Sequence, residues 1–266
     1  VELQIGVALA NQVHMRQRWN RAETTAQQAR RMMSSGTAVA SEVMTGWIEF
    51  AAAIAVFFLS HSLPMRPAVR ARGVEYLGRG GFGLLYSALS IAALAWMIGA
   101  AGRAPFVQLW PRQTWQTLVP LIAMALACLI AAFSIARPNP FSFGGGSSGF
   151  DPARPGIVRW LRHPMLAALA LWAASHMVPN GDLAHVLLFG IFAAFAVLGM
   201  RLVDRRKQRQ MGVAQWAALR RAAGARPFVP RPVSSAHAAI RFGIAAALYV
   251  TLIVLHPVVI GVSPLP

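Results

Sequence analysis

Histidines in apolar surroundings are the residues of this sequence whose type and placement best suit chemistry. Five of the seven lie in or at the ends of long apolar stretches, and His237 lies just before the last one. An imidazole at membrane depth costs free energy unless it hydrogen bonds across helices or binds a ligand. Each is therefore a candidate metal ligand, and a hydrogen bond between helices is the alternative. The five are His61, His163, His176, His185 and His256.

Helix geometry sorts these histidines by depth. At a rise of about 1.5 Å per residue, His61 and His163 each lie about 8 to 9 Å from the same end of their apolar stretches. His176 lies about 20 Å further along its helix than His163, near His185 and His256. Two imidazoles that bind one metal ion must share a depth. Spacing alone therefore favours His61 with His163, or His176 with His256.

Six apolar stretches are long enough to position these residues in a bilayer, which takes about 20 apolar residues per helix. Hydrophobic residues make up 56% of the chain and charged residues only 12%. We therefore predict an all-α, polytopic membrane helix bundle with about six transmembrane helices. The stretches cover approximately 46–66, 82–101, 115–136, 157–178, 183–203 and 240–262.

The positions of the 25 Lys and Arg residues predict the orientation of the bundle. Ten lie between 201 and 241, and the first and third connections hold four each, whereas the second holds two and the fourth none. Since cytoplasmic loops are enriched in Lys and Arg, the odd-numbered connections are expected inside the cell and both termini of the six-helix core outside. The cations of the basic fifth region are then expected to meet lipid phosphates, and the net charge of +17 does not indicate a nucleic-acid partner.

Two of the basic connections differ in composition. The third, 137–156, is rich in Pro, Gly and Ser, which predicts a non-helical loop. In the fifth, 204–221 has helix-forming composition with a partial apolar face, which predicts an interfacial cytoplasmic helix. That face comprises Met211, Trp216 and Leu219.

The residues after His163 suggest a close helix contact. Pro164 suits the first turn of a helix, and Trp160 to Arg162 would then form an elbow before it. The alanines that follow permit close approach of another helix or of a flat ligand. They are Ala167, Ala168, Ala170, Ala173 and Ala174.

Other features narrow the chemistry. Glu49 is the one acidic residue clearly within a span, which disfavours ion coupling and acid–base hydrolysis, so catalytic residues stay unknown. Cys128 is the only cysteine, which excludes an internal disulfide, a thiolate metal cluster and covalent haem attachment through a CxxCH motif. Residues 1–43 carry five arginines on the side predicted to be outside, and Met44 directly precedes the first span. We therefore expect 1–43 to be a non-native or disordered extension and 44–266 to be a single transmembrane domain.

Three segments of the chain resemble the NnrU family of bacterial membrane proteins. They are FFLSHSLPMRP (57–67), RWLRHPMLAALALWAASHMVPNGDLAHVLLFG (159–190) and LGMRLVDRRKQRQMG (198–212). The similarity covers roughly 44–230. It implies a six-span protein of the bacterial inner (plasma) membrane, linked to denitrification through production of nitrite and nitric oxide reductase activity. Respiratory reductases or maturation proteins are the partners it implies, beside the lipid bilayer.

The same places are similar to plant zeta-carotene isomerase, which isomerises a polyene with haem b. That similarity implies a haem b site at His61 and His176, with His163 also matched, and a redox-type isomerisation of a lipid-soluble substrate. This set of three differs from the pairs that spacing favours.

A further similarity is to the isoprenylcysteine and phospholipid methyltransferases, through RHPMLAA (162–168). Leu166 and Ala168 replace the Tyr and Gly of that motif, and Asp204 followed by Arg205 replaces its paired glutamates. Transfer of a methyl group from S-adenosylmethionine is therefore one alternative function. The other is a non-catalytic assembly or regulatory factor whose histidines only join helices.

Overall fold

The computed structural model describes residues 38–64, 66–143, 148–225 and 234–266, with side chains from Val43 onward. Within these ranges the regular structure is helical, which confirms the all-α prediction. The predicted extension lies largely outside the described residues, and helix α1 begins at Ala38. The α-helices are α1 (Ala38–Ser62), α2 (Pro67–Arg103), α3 (Leu118–Ser134), α4 (Pro164–Met177), α5 (Leu183–Met211), α6 (Val213–Gly224) and α7 (Ser235–Ile260).

Five of the described helices are long and apolar enough to cross a membrane, namely α1, α2, α3, α5 and α7. Helix α4 is apolar as well but has only 14 residues. Its length is about 21 Å, against about 30 Å for the hydrocarbon core of a bilayer. The helices are thus those of a membrane protein, with one of the six predicted spans shorter than expected.

The prediction of a single helix over 157–178 is wrong at its start. Gly156–Arg159 forms a 3-10 turn, 160–163 is not helical, and α4 begins at Pro164. Proline disfavours the helical conformation in the residue before it, and His163 accordingly has φ −121° and ψ 67°. The predicted elbow before Pro164 is confirmed. His163 therefore lies at the start of its helix and not about 9 Å inside it.

The prediction of one helix over 204–221 is also wrong. Helix α5 continues through Asp204 to Met211, and α6 starts only at Val213. Between them Gly212 has φ 87° and ψ 140°, a conformation that residues with a Cβ rarely adopt. The chain thus changes direction at Gly212. The loop prediction for 137–156 holds for its described part up to the 3-10 turn that begins at Gly156.

The described chain divides into two compact units. The first ends at Leu109 and also includes Asp182–Leu188. In it α1 packs against α2, which begins well before the predicted span and has a non-helical residue, Gly78, with φ 68°. Arg103 near the end of α2 lies 2.5 Å from the Glu49 carboxylate of α1, and the indole of Trp96 donates to the same carboxylate. The intramembrane acid is thus neutralised by a neighbouring helix.

The second unit comprises Trp110–Gly181 and Phe189–Pro266. Helix α3 contacts both α4 and α7, and most of the buried side chains at these contacts are small. Small side chains let helix axes approach closely. Ala168 therefore serves helix packing, whereas Ala174 is exposed. The buried residues are Ala127, Ile130 and Ala168 in one cluster, and Cys128, Ala132 and Ala245 in the other.

Candidate functional site

His61 lies in the last turn of α1 and hydrogen bonds within its own helix. Its Nδ1 is 2.8 Å from the carbonyl oxygen of Phe57, and the two rings have centroids 4.2 Å apart. Ser60 donates to the same carbonyl at 2.9 Å, and its Oγ is 3.3 Å from Nδ1. Because a carbonyl oxygen only accepts, Nδ1 carries the proton of the neutral ring. Nε2 therefore keeps its lone pair.

His176 lies in the last turn of α4 and repeats this arrangement. Its Nδ1 is 2.8 Å from the carbonyl oxygen of Trp172, to which Ser175 also donates at 2.9 Å. The ring lies between aromatic side chains, with centroids 5.6 Å from Trp172 and 5.4 Å from Phe189. Nε2 again keeps its lone pair in the neutral ring, in apolar surroundings.

Both histidines end the same five-residue pattern. It consists of an aromatic residue, then any two residues, then Ser and finally His. It reads FFLSH at 57–61 and WAASH at 172–176. In a helix the carbonyl of the aromatic residue lies one turn before the histidine, so this pattern fixes the ring and its tautomer. The signal of this pattern lies in the residues that precede each histidine along the chain, whereas the predicted depths of the histidines do not reveal it.

A histidine whose Nδ1–H is bonded to a carbonyl and whose Nε2 is unprotonated has the arrangement typical of metal ligands. His61 in the first unit and His176 in the second each offer one such nitrogen. Within the described residues, no group of three or more His, Cys, Asp or Glu side chains could hold a metal ion alone. Haem supplies four nitrogen ligands itself and needs only one or two from the protein. One histidine of this kind is therefore enough for a haem iron, whereas a bare metal ion needs further ligands.

The other histidines differ in their partners. His256 has its Nδ1 2.6 Å from the Val262 carbonyl oxygen, so the Nε2 of its neutral ring also keeps a lone pair. His185 instead has its Nδ1 2.8 Å from the Asp182 carboxylate. His237 is exposed at the start of α7.

His163 uses both ring nitrogens in a buried polar cluster. Its Nε2 is 3.0 Å from the Asp204 carboxylate of α5, and its Nδ1 is 3.2 Å from Ser142 Oγ. A carboxylate only accepts, so Nε2 carries the proton and the Ser142 hydroxyl donates to Nδ1. Ligation of iron by His163 would require one of these bonds to break.

The same carboxylate holds the neighbouring arginine. Arg162 donates to Asp204 through Nη2 at 2.9 Å and Nε at 3.3 Å, a bidentate pair, and stacks over the Trp216 ring of α6 at 5.8 Å. The Arg162 carbonyl accepts from Asn139 at 2.9 Å, and the Asn139 side chain accepts from the amide of the fully buried Phe141. These bonds join the 137–143 segment, the elbow and α5.

Burial sets the protonation of His163, whose side chain is only 2% exposed. Burial lowers the pKa of His163 below its ordinary value, although the hydrogen bond and the charge of Asp204 oppose that shift. A neutral ring fits the bonds described above, since Nδ1 must accept from Ser142. In this structure His163 thus joins segments of the fold as a hydrogen-bonded residue.

One of the comparisons with known proteins gives a match. No curated protein and no solved structure matches the chain. The family model described as NnrU protein matches residues 49–264. That range extends past the three resembling segments, through α7, and includes all three predicted ligands. The chain therefore belongs to the NnrU family.

Proposed function

We propose that this protein is a multi-pass protein of the bacterial inner membrane that binds haem b, and that the Nε2 atoms of His61 and of His176 are each candidate ligands of the iron. The observation that carries the proposal is the aromatic-x-x-Ser-His pattern that the two residues share. In each pattern Nδ1 donates a hydrogen bond to a backbone carbonyl, and Nε2 stays available in apolar surroundings. His163, the third predicted ligand, then acts by holding the polar cluster together.

Local contacts support this division of roles. A second acceptor near Nδ1, supplied by Ser60 or Ser175, increases the basicity of Nε2 and so strengthens its bond to iron. Phe57 and Trp172 cover one side of their histidines and restrict water. When bound, haem b would supply one-electron chemistry, and the aromatic surroundings would tune its potential.

The cellular role that the family suggests is support of denitrification, through production of nitrite and nitric oxide reductase activity. A redox-type isomerisation of a lipid-soluble substrate is the enzymatic form of the same proposal. Both place the function in the membrane, which is consistent with the five long apolar helices among the described residues.

Absorbance spectroscopy tests the haem proposal directly. Protein purified in detergent from haem-replete cells should show a Soret band, which His61→Ala and His176→Ala should each weaken strongly. His237→Ala is the matched control, because that residue is exposed and should leave the band unchanged. A colourless wild-type protein, or equal bands in all four proteins, would refute the proposal.

The orientation is tested by labelling single cysteines in intact cells. Val213→Cys and Leu265→Cys introduce thiols at exposed positions, 67% and 53% accessible, whereas the native Cys128 is buried. A membrane-impermeant maleimide should label position 265 in intact cells and position 213 only after lysis, because the basic connections are predicted to face the cytoplasm. The reverse pattern would invert the proposed topology.

The non-catalytic alternative rests on a different observation, the complete hydrogen bonding of His163 to Ser142 and Asp204. If the other histidines also serve only to join helices, the protein is an assembly or regulatory factor for nitrogen-oxide reductases. It would then be colourless and would co-purify with a reductase or a maturation protein.

A further inference from the structure

The 3-10 turn before α4 and helix α6 are joined by arginine side chains. Arg220 donates through Nη1 to the carbonyl oxygens of Val158 at 3.1 Å and Arg159 at 3.0 Å. Arg159 in turn donates to the carbonyl of Gly224, at the end of α6. Both guanidinium groups are therefore held in fixed positions by backbone carbonyls.

Positive charge exceeds negative charge in this region. Arg162 is the third arginine, and it forms a bidentate salt bridge with Asp204. Within the part of the chain that the structure describes, Arg159 and Arg220 form no salt bridge: both donate to backbone carbonyls, and the charge of Asp204 acts on Arg220 only from beyond salt-bridge distance. Burial, followed by repulsion from Arg162 and Arg159, lowers the pKa of Arg220. Three arginines are thus close enough to repel one another, and the Asp204 carboxylate near them is paired with Arg162.

Two buried N–H donors of the same elements have no acceptor among the described residues. They are Nε of Arg159 and Nε1 of Trp216. Trp216 precedes Arg220 by one turn of α6 and lies under the guanidinium of Arg162. A buried donor without an acceptor destabilises the fold, and an anion that accepts from it removes that cost.

We propose that Arg159, Arg162 and Arg220, together with the indole of Trp216, bind a phosphate group. A phosphate carries the negative charge that the cluster lacks, and its several oxygens accept from guanidinium forks. A phospholipid headgroup and inorganic phosphate both supply this group. Because the 3-10 turn and α6 lie outside the candidate membrane spans, their position is compatible with either source. The site is independent of haem binding.

The test uses the full chain in neutral detergent and two probes. Calorimetry measures binding of inorganic phosphate at constant ionic strength. Native mass spectrometry measures how much phosphatidylglycerol stays bound after extraction from vesicles of equal phosphatidylglycerol and phosphatidylcholine content. Arg159→Gln and Arg220→Gln should each weaken binding of the recognised probe about tenfold, as expected for one charge-assisted hydrogen bond. Arg221→Gln, on the exposed side of α6, removes the same charge and should have little effect.

The outcomes separate the two sources of phosphate. Saturable binding of inorganic phosphate identifies a soluble ligand, and selective retention of phosphatidylglycerol without it identifies a lipid. Failure of the wild-type protein to bind either probe overturns the proposal, as does an equal loss in Arg221→Gln, which would indicate a net-charge effect. Circular dichroism checks folding, and Arg220→Lys replaces Arg220→Gln if the latter unfolds, because lysine keeps the charge but loses the fork.

Discussion

Replacing Asp204 with asparagine should destabilise the second unit by loosening the cluster around the elbow. The Asp204 carboxylate accepts two bonds from Arg162 and one from His163 Nε2. The asparagine side chain has one oxygen in place of two and presents an NH2 group to one of the former donors. At least one buried donor then loses its acceptor.

The size of the effect follows from exposure. The side chain of His163 is 2% exposed and that of Asp204 16%, so their hydrogen bond is nearly free of solvent screening, whereas Arg162 is 37% exposed. A buried bond to a charged group contributes about 1.5 kcal/mol or more, and the screened arginine pair adds less than about 1 kcal/mol. We therefore expect a loss of about 2 to 3 kcal/mol, which lowers the melting temperature by about 5 to 10 °C in a chain of this size.

Thermal unfolding in detergent, followed by circular dichroism, measures this loss. Asp151→Asn is the matched control, because Asp151 pairs with Arg154 at 2.7 Å but the two side chains are 41% and 64% exposed. That exposed pair should contribute less than about 1 kcal/mol. If Asp204→Asn melts within about 2 °C of Asp151→Asn, the cluster does not stabilise the fold, and its proposed role is wrong.

Three further predictions concern pH, the histidine pattern and a close loop contact. Because burial lowers the pKa of His163 below its unfolded value of about 6.5, the stability from keeping it neutral is complete above that pH. This contribution is lost as the pH falls through the lowered folded pKa, so melting curves from pH 8 to 5 should show a decline that His163→Gln reduces. Ser175→Ala should keep most of the Soret band but raise the haem reduction potential, because Nδ1 loses its second acceptor; an unchanged potential in redox titration would contradict this role. Gly181→Ala should cost about 1 to 3 kcal/mol in thermal unfolding, since its Cβ would lie 2.3 Å from the Trp110 carbonyl oxygen. Gly190→Ala, whose Cβ would meet nothing closer than 3.8 Å, should melt like the wild-type protein.

Local composition was enough to predict the membrane helices, because spanning a bilayer imposes a length and an apolar character on each segment by itself. Two helix boundaries are exceptions. Helix α4 begins at Pro164, whereas hydropathy predicts its start at about residue 157. Gly212 separates α5 from α6, whereas composition predicts one helix over 204–221. Hydropathy does not distinguish a helix from an apolar elbow, and whether a glycine adopts a positive φ depends on its tertiary surroundings.

The candidate site was predicted in part. The choice of His61 and His176 as candidate ligands followed from their place in apolar stretches and from family resemblance, and their local pattern could have been recognised in the sequence. The partners of His163 could not, because Ser142 and Asp204 lie 21 and 41 residues away along the chain. Contacts over such separations depend on the packing of whole helices, which periodicity does not encode.

The short α4 has a consequence for the lipid around the second unit. Helix α7, with 26 residues, is about 39 Å long, but α4 is about 18 Å shorter. Lipid tails beside a short apolar helix must compress or tilt, and the cost rises with each ångström of hydrophobic mismatch. Non-helical backbone at that depth is tolerated only where protein or water satisfies its polar groups, as Asn139 does for the carbonyl of Arg162. The protein should therefore deform the leaflet next to the elbow and be better suited to a thin bilayer than to a thick one.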